Sequence, residues 1–119
     1  MGYYLFKAML ARQNRYTTPE FNQVFKYNRP IHGNFFIRLV PSDDKMTTKY
    51  AVVVSKKTYS RRVDRNRIRR FIYHTIKENN LTGGGIIMLR KQAVNYLNLI
   101  ITRPTEAAQA IISLFDSQK

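Results

Sequence analysis

Val52-Val53-Val54-Ser55-Lys56-Lys57, followed after seven residues by Arg65-Asn66-Arg67-Ile68-Arg69-Arg70, is the stretch on which the reading of this chain turns. Its first part, from Lys49 to Ser55, is rich in branched residues and predicts a strand. Because the run is continuously apolar, burial on both faces is expected. The second part predicts a helix. Counting from Ile68, helical spacing puts Phe71, Ile72, Thr75 and Ile76 on one apolar stripe. The opposite side carries Asn66, Arg70, Tyr73 and Lys77, with Arg67 and His74 on one flank and Arg65 and Arg69 on the other. Asp64 is placed to cap this helix or to meet its dipole. Asn79-Asn80 and Gly83-Gly84-Gly85 end it, and Ile86 to Leu89 has strand composition, with Arg90-Lys91 at its exit. A helix between two such strands implies a parallel crossover.

Working outward, Thr18-Pro19-Glu20 is a helix start. Threonine can cap, proline fits the first turn and glutamate favours the positive end of the dipole. Phe21, Val24 and Phe25 then fall on one helical face, to about Tyr27. Residues 28–33, with Pro30 inside, read as a loop, and residues 34–40 as a strand alternating Phe35, Ile37, Leu39 against Phe36, Arg38, Val40. Pro41-Ser42-Asp43-Asp44 is turn chemistry. The 41–48 connection is short enough for a hairpin, so the two flanking strands are expected to pair antiparallel. Residues 1–16 read as a loosely ordered lead-in, and 92–102 have no clean period. Pro104 opens a last helix with Ala108, Ile111, Ile112 and Phe115 as its stripe. The order is α, β, β, α, β, α, with room for a third early strand in the 41–55 region.

The 119 residues include 21 Lys or Arg and 7 Asp or Glu, a formal net charge of +14. Between Lys56 and Lys77 there are nine basic residues and one acid, so more than half of the excess lies in this stretch. Such a charge calls for a polyanion, nucleic acid first and an anionic membrane surface second. The length suits one domain spanning 1–119, and the 44% hydrophobic content argues against wholesale disorder. The chain has no cysteine, which removes disulfides, thiolate metal sites and thiol nucleophiles and suits a reducing cytoplasm. No apolar run approaches the ~20 residues that span a bilayer, and Lys7 interrupts the mildly apolar start, a poor signal peptide.

Self-contained catalysis is poorly supported. Asp43-Asp44 reads as turn formers, and His74 sits among arginines. Gly83-Gly84-Gly85 lacks the Lys-Ser/Thr of a phosphate loop and reads as a flexible turn. No catalytic or metal residue is assigned. The arginines offer many phosphate donors, to which Asn66 and Tyr73 add hydrogen bonds. A strand and a Lys-Lys pair precede the basic helix, not the first helix of a helix-turn-helix, which argues against DNA. Phe21, Phe25, Phe35 and Phe36 can pack as core, the more common fate of such rings, or offer stacking surfaces beside such a cluster to unpaired RNA bases.

The strand, Lys-Lys and Arg-Asn-Arg-Ile-Arg-Arg pattern resembles the bacterial ribonuclease P protein subunit family. Phe21-Asn22-Gln23-Val24-Phe25-Lys26 is similar to that family's first helix, and Ile86 to Lys91 to its last strand. The resemblance covers about residues 17–115. It implies an α/β (α+β) sandwich whose small mixed sheet follows αβββαβα order with a left-handed βαβ crossover, like the second domain of a ribosomal small-subunit protein. It implies a subunit that assists a catalytic RNA in removing the single-stranded 5′ leader of precursor tRNA. On that resemblance, magnesium acts with the RNA and none is bound by the protein alone. Carried over by position, Arg65, Asn66, Arg67, Arg69 and Arg70 contact the RNA, and Lys56, Lys57, Arg61 and Arg62 extend that surface. Phe21, Phe25, Leu39 and Tyr73 line the leader cleft. The implied partners are the catalytic RNA and precursor tRNA, in the cytoplasm, with no membrane or DNA. Composition alone equally suits a ribosomal-type structural RNA-binding protein.

Overall fold

The computed structural model describes residues 15–116, so most of the expected lead-in lies outside the described residues. The elements are α1 (Thr18–Lys26), β1 (Asn28–His32), β2 (Phe36–Pro41), a 3-10 turn (Asp44–Met46), β3 (Tyr50–Val53), α2 (Arg62–Glu78), β4 (Gly85–Leu89), α3 (Tyr96–Thr102) and α4 (Pro104–Asp116). This is a mixed α+β fold with sheet order β1-β2-β4-β3.

The parallel crossover is present: β3 runs beside β4, with Val52 opposite Ile87, and α2 joins them. The expected hairpin is not. β2 pairs antiparallel with β4, with Arg38 opposite Ile87, so β4 separates β2 from β3. The third early strand is β1, in the stretch read as a loop, and it pairs antiparallel with β2. Pro30 is tolerated there because β1 is an edge strand, whose outer side owes no ladder bond. β3 is the other edge and is not buried on both faces. Tyr50 and Val52 point inward while Ala51 and Val53 stay half-buried.

The sheet separates two apolar clusters. On one face Phe36, Val52, Val54, Ile87 and Leu89 meet Ile68, Ile72 and Ile76 of α2 and Ala107, Ile111, Leu114 and Phe115 of α4. The α4 stripe is thus turned slightly from the expected one, with Ala107 and Leu114 in place of Ala108 and Ile112. Tyr96 of α3 is fully buried in this core, its ring edge-on to Phe36 at 4.8 Å, and its hydroxyl donates to the Ala107 carbonyl. On the other face α1 covers only one end of the sheet, through Val24 on Leu39 and Ile86. Ile37, Ala51, Val53 and Met88 are left half-open beside it.

The triple glycine is a packed corner and not a loose turn. All three residues have positive φ, and a Cβ on Gly84 would lie 2.6 Å from the Met46 carbonyl oxygen and 2.7 Å from that of Lys49. Only glycine combines that backbone with that approach.

α1 begins with a reciprocal capping box, one residue earlier than the sequence suggested. Thr17 is the cap, its side chain accepts from the Glu20 amide, and the Glu20 carboxylate accepts from the Thr17 amide at 2.9 Å. Lys49 Nζ lies 2.7 Å from the same carboxylate, tying α1 to the start of β3. These donors, Lys49 first, hold the Glu20 carboxyl below its ordinary value of 4.5. The folded state therefore favours the anion. Its contribution is in place above about pH 4.5 and is lost as pH falls through the folded value. Glu20→Gln is expected to lower the urea midpoint at pH 7, with the difference from wild type shrinking as pH falls below 4.5.

Candidate nucleic-acid interface

The basic segment divides by direction. Lys56 and Lys57 sit exposed on the turn after β3, which Ser55 closes by accepting the Lys57 amide on its hydroxyl. Arg61 and Arg62 are exposed at the start of α2. Asp64 lies in the first turn, where it meets the dipole and stands 3.9 Å from Arg61, but it does not cap: the cap residue is Arg61.

The three residues of Arg65-Asn66-Arg67 do three different things. Arg65 turns inward and is buried. Its Nη1 donates to the carbonyls of Tyr59 at 3.0 Å and Ser60 at 2.8 Å, fastening the Lys56–Lys57 turn to α2. Asn66 accepts from Arg69 Nη1 at 3.0 Å and so aims the Arg69 guanidinium. Arg67 is exposed. Arg69 and Arg70 are half-buried and leave the helix on opposite sides. Arg69 faces β3, while Arg70 joins Arg67 and His74 on the side of α3. Burial pulls the Arg69 pKa down, and the nearby Arg65 and Arg62 charges pull it further. These like charges repel in the free protein, and an anion relieves that repulsion.

A cleft of about 600 Å³ runs between α1, the outer edge of β3 and α2, lined by Arg15, Tyr16, Thr17, Phe21, Tyr50, Ala51, Val52, Arg69 and Tyr73. Of the four aromatic and apolar positions assigned to a cleft, Phe21 and Tyr73 do meet here. Tyr73, expected on the polar side of the helix, is buried in the wall, with its hydroxyl on the Val52 backbone. Burial raises its pKa, so it stays neutral at physiological pH. Phe25 is outside the cleft lining. It is 53% exposed and stacks on Phe21 with centroids 5.9 Å apart and planes 13° off parallel. Leu39 is not on any open floor: it lies buried beneath Val24 of α1. The open residue of β2 on that face is Ile37.

Sequence reasoning missed Arg15 and Tyr16. A bridge from Arg15 to Tyr50 lays this segment along the β3 edge, where Tyr16 donates to the Met46 carbonyl at 2.6 Å and accepts the Gly85 amide at 3.1 Å. Among the described residues, Arg15 Nε is buried without a hydrogen-bond partner beside Tyr73. No periodicity marks a single residue held by a distant strand, so no local signal pointed to it.

The acids do local work. Asp43 accepts from the Lys45 amide at 2.9 Å and from Gln23 at 3.3 Å, as a turn former does. Among the described residues no three His, Asp or Glu side chains cluster as a metal site, and no helix is long and apolar enough to cross a membrane.

Phe25→Ala removes an exposed ring, so a stability change of under about 1 kcal/mol is expected. Base stacking is worth roughly 1–3 kcal/mol per base, so affinity for a single-stranded RNA that reaches α1 should fall at least about fivefold. Urea unfolding and fluorescence anisotropy separate the two.

A family model described as Ribonuclease P matches residues 10–109. The fold is similar to that of the Staphylococcus aureus RNase P protein, with a TM-score of 0.70 at 17% identity over 87% of this chain and 93% of that one. A mutant of that protein, described as defective in mRNA degradation activity, gives 0.74 at 15% identity over 95% and 94%. The RNase P protein from Thermotoga maritima gives 0.69 at 16% identity over 85% and 94%. No curated protein sequence matches the chain.

Proposed function

The chain belongs to the ribonuclease P protein family, and from that membership and the cleft we propose that it binds the catalytic RNA of ribonuclease P and the 5′ leader of precursor tRNA. The family places it in tRNA 5′ processing as a ribonuclease P subunit. The observation that carries the finer reading is the shared cleft. One α2 flank supplies Arg69 and Tyr73 to the same groove that Phe21 enters from α1.

Each wall of that groove suits part of a single strand. Phe21 in the groove, and the exposed Phe25 stacked beside it outside the lining, offer ring faces to unpaired bases, which every base can use. Arg69, aimed by Asn66, and Arg15 offer guanidinium donors to phosphate oxygens. The neutral Tyr73 side chain and the β3 backbone beyond the Arg15–Tyr50 bridge complete the wall that the strand would lie against. Arg67 and Arg70, with Lys56 and Lys57, present a second basic surface to the catalytic RNA. In this reading the RNA carries the cleavage chemistry and its magnesium ions. The protein's residues raise local affinity for substrate and neutralise phosphate charge that magnesium would otherwise have to screen.

Reconstitution with a bacterial ribonuclease P RNA at low magnesium tests it. Processing of a precursor tRNA bearing a leader should improve over RNA alone. No improvement would overturn the proposal, and enrichment of ribosomal RNA on protein recovered from cells would favour a structural ribosomal role.

A further inference from the structure

The flank of α2 turned away from the cleft carries a second depression, of about 240 Å³, lined by Arg67, Arg70, Phe71, His74 and Ile100. Its floor is apolar, made by Phe71 and by Ile100 of α3. The Phe71 ring packs edge-on against the buried Tyr96 ring, at 6.5 Å and 72°. Two guanidinium groups and an imidazole form the rim, and among the described residues no carboxylate lines it. The next acid along α2 is Glu78, one turn beyond His74, and it lines the neighbouring groove between α2 and α4.

This also places residues 92–103, whose apolar character no cleft contact uses. α3 forms within them, over Tyr96–Thr102, and it sets Ile100 at the depression while leaving Ile101 55% exposed. A flat apolar floor under a cationic rim complements a ligand that is both planar and flanked by negative charge. An acidic peptide would supply the charge without the flat ring, and a membrane surface would not enter so narrow a depression. We propose that this pocket holds one unstacked nucleobase of the catalytic RNA, its ring on Phe71 and Ile100 and its flanking phosphates on Arg67 and Arg70. The pocket rests on the reading of α2 as an RNA-binding surface, and it makes that surface recognise an extruded base as well as backbone charge.

The test uses the full chain and a bacterial ribonuclease P RNA transcript. Ile100→Trp fills the pocket without changing any charge. Its affinity for the RNA should fall about tenfold with the salt dependence and the melting temperature unchanged, the loss of one stacked base. One nucleotide protected from base-specific dimethyl sulfate modification by the wild-type chain should become reactive. Normal affinity and an unchanged footprint, with weaker binding by the Arg67→Ala/Arg70→Ala double variant, would overturn the pocket and leave the RNA surface standing. Normal binding by both variants would overturn the RNA surface as well. If Ile100→Trp melts early, the wild-type chain decides: the Ile100 methyl resonances should move upfield on adding the RNA, and their failure to move overturns the proposal.

Discussion

Arg38→Ala is expected to lose about 4 kcal/mol of folding stability, within the range for removing a large, fully buried side chain. Arg38 is 0% exposed and spans the sheet face that α4 covers. Its Nε and Nη2 donate to the Gly84 carbonyl at 3.0 and 2.7 Å, and its Nη1 donates to the Leu114 carbonyl at 3.2 Å. The guanidinium stacks on Phe115 with its carbon 3.9 Å from the ring centroid. Burial lowers its pKa to about 10, which leaves it charged at neutral pH, and among the described residues no ion pair compensates the charge. The main-chain carbonyls and the ring face take that role. Alanine would open a cavity and take both donors from the Gly84 carbonyl in the corner where glycine is sterically required. Arg38→Met keeps most of the volume and should lose about half as much, separating packing from hydrogen bonding. Urea unfolding reads both, and a loss under about 1 kcal/mol for alanine would show that the core closes over the site. RNA affinity of the folded variant should not change, since Arg38 reaches neither basic surface.

Arg38 shows where the sequence stopped being legible. Alternation put it on one face of β2, but nothing local said that this face would be sealed by α4, whose Leu114 lies 76 residues later. The same limit explains the missing hairpin. β2 and β3 follow one another closely, yet β4 intercalates, because a parallel crossover returns the chain to the sheet and the neighbour of β3 is chosen by packing across α2. β1 was lost to Pro30, which a central strand excludes and an edge strand accepts. By contrast, α2, its Ile68–Ile72–Ile76 stripe and its two basic flanks were readable, because helical spacing is a local property. So was the pairing of a strand ending in Lys-Lys with the helix carrying the arginines. The cleft was half readable. Phe21 and Tyr73 were placed in it, whereas Leu39 was not separable from Ile37 by alternation, which gives both the same face. Only the position of α1 decides which of them is covered. The inward turn of Arg65 was equally invisible, since flank membership does not say whether a long side chain reaches out to solvent or back to a carbonyl.

Arg65 supplies the control for the largest expected effect on binding. Replacing Arg67, Arg69 and Arg70 together with alanine should remove three phosphate contacts. Each contact carries roughly 0.7 to 0.9 of log–log salt slope, so the slope should flatten by about 2 to 3 units. Affinity for the catalytic RNA at 0.1 M salt should fall roughly 100- to 500-fold, the same slope read between 1 M and 0.1 M. None of the three donates to a backbone carbonyl of the described residues, and the ion pairs of this segment do not include them, so stability should change little. Arg65→Ala should behave in the opposite way. It removes a buried guanidinium from the carbonyls of Tyr59 and Ser60, a stability loss of about 2 kcal/mol, while leaving the slope within about half a unit of wild type. Filter binding across a salt series, paired with urea unfolding, distinguishes the two. A triple variant with an unchanged slope would show that this face of α2 meets solvent. An Arg65→Ala slope that flattens by a full unit would mean that the guanidinium leaves its carbonyls for a phosphate when RNA binds, releasing the Lys56–Lys57 turn in the same step.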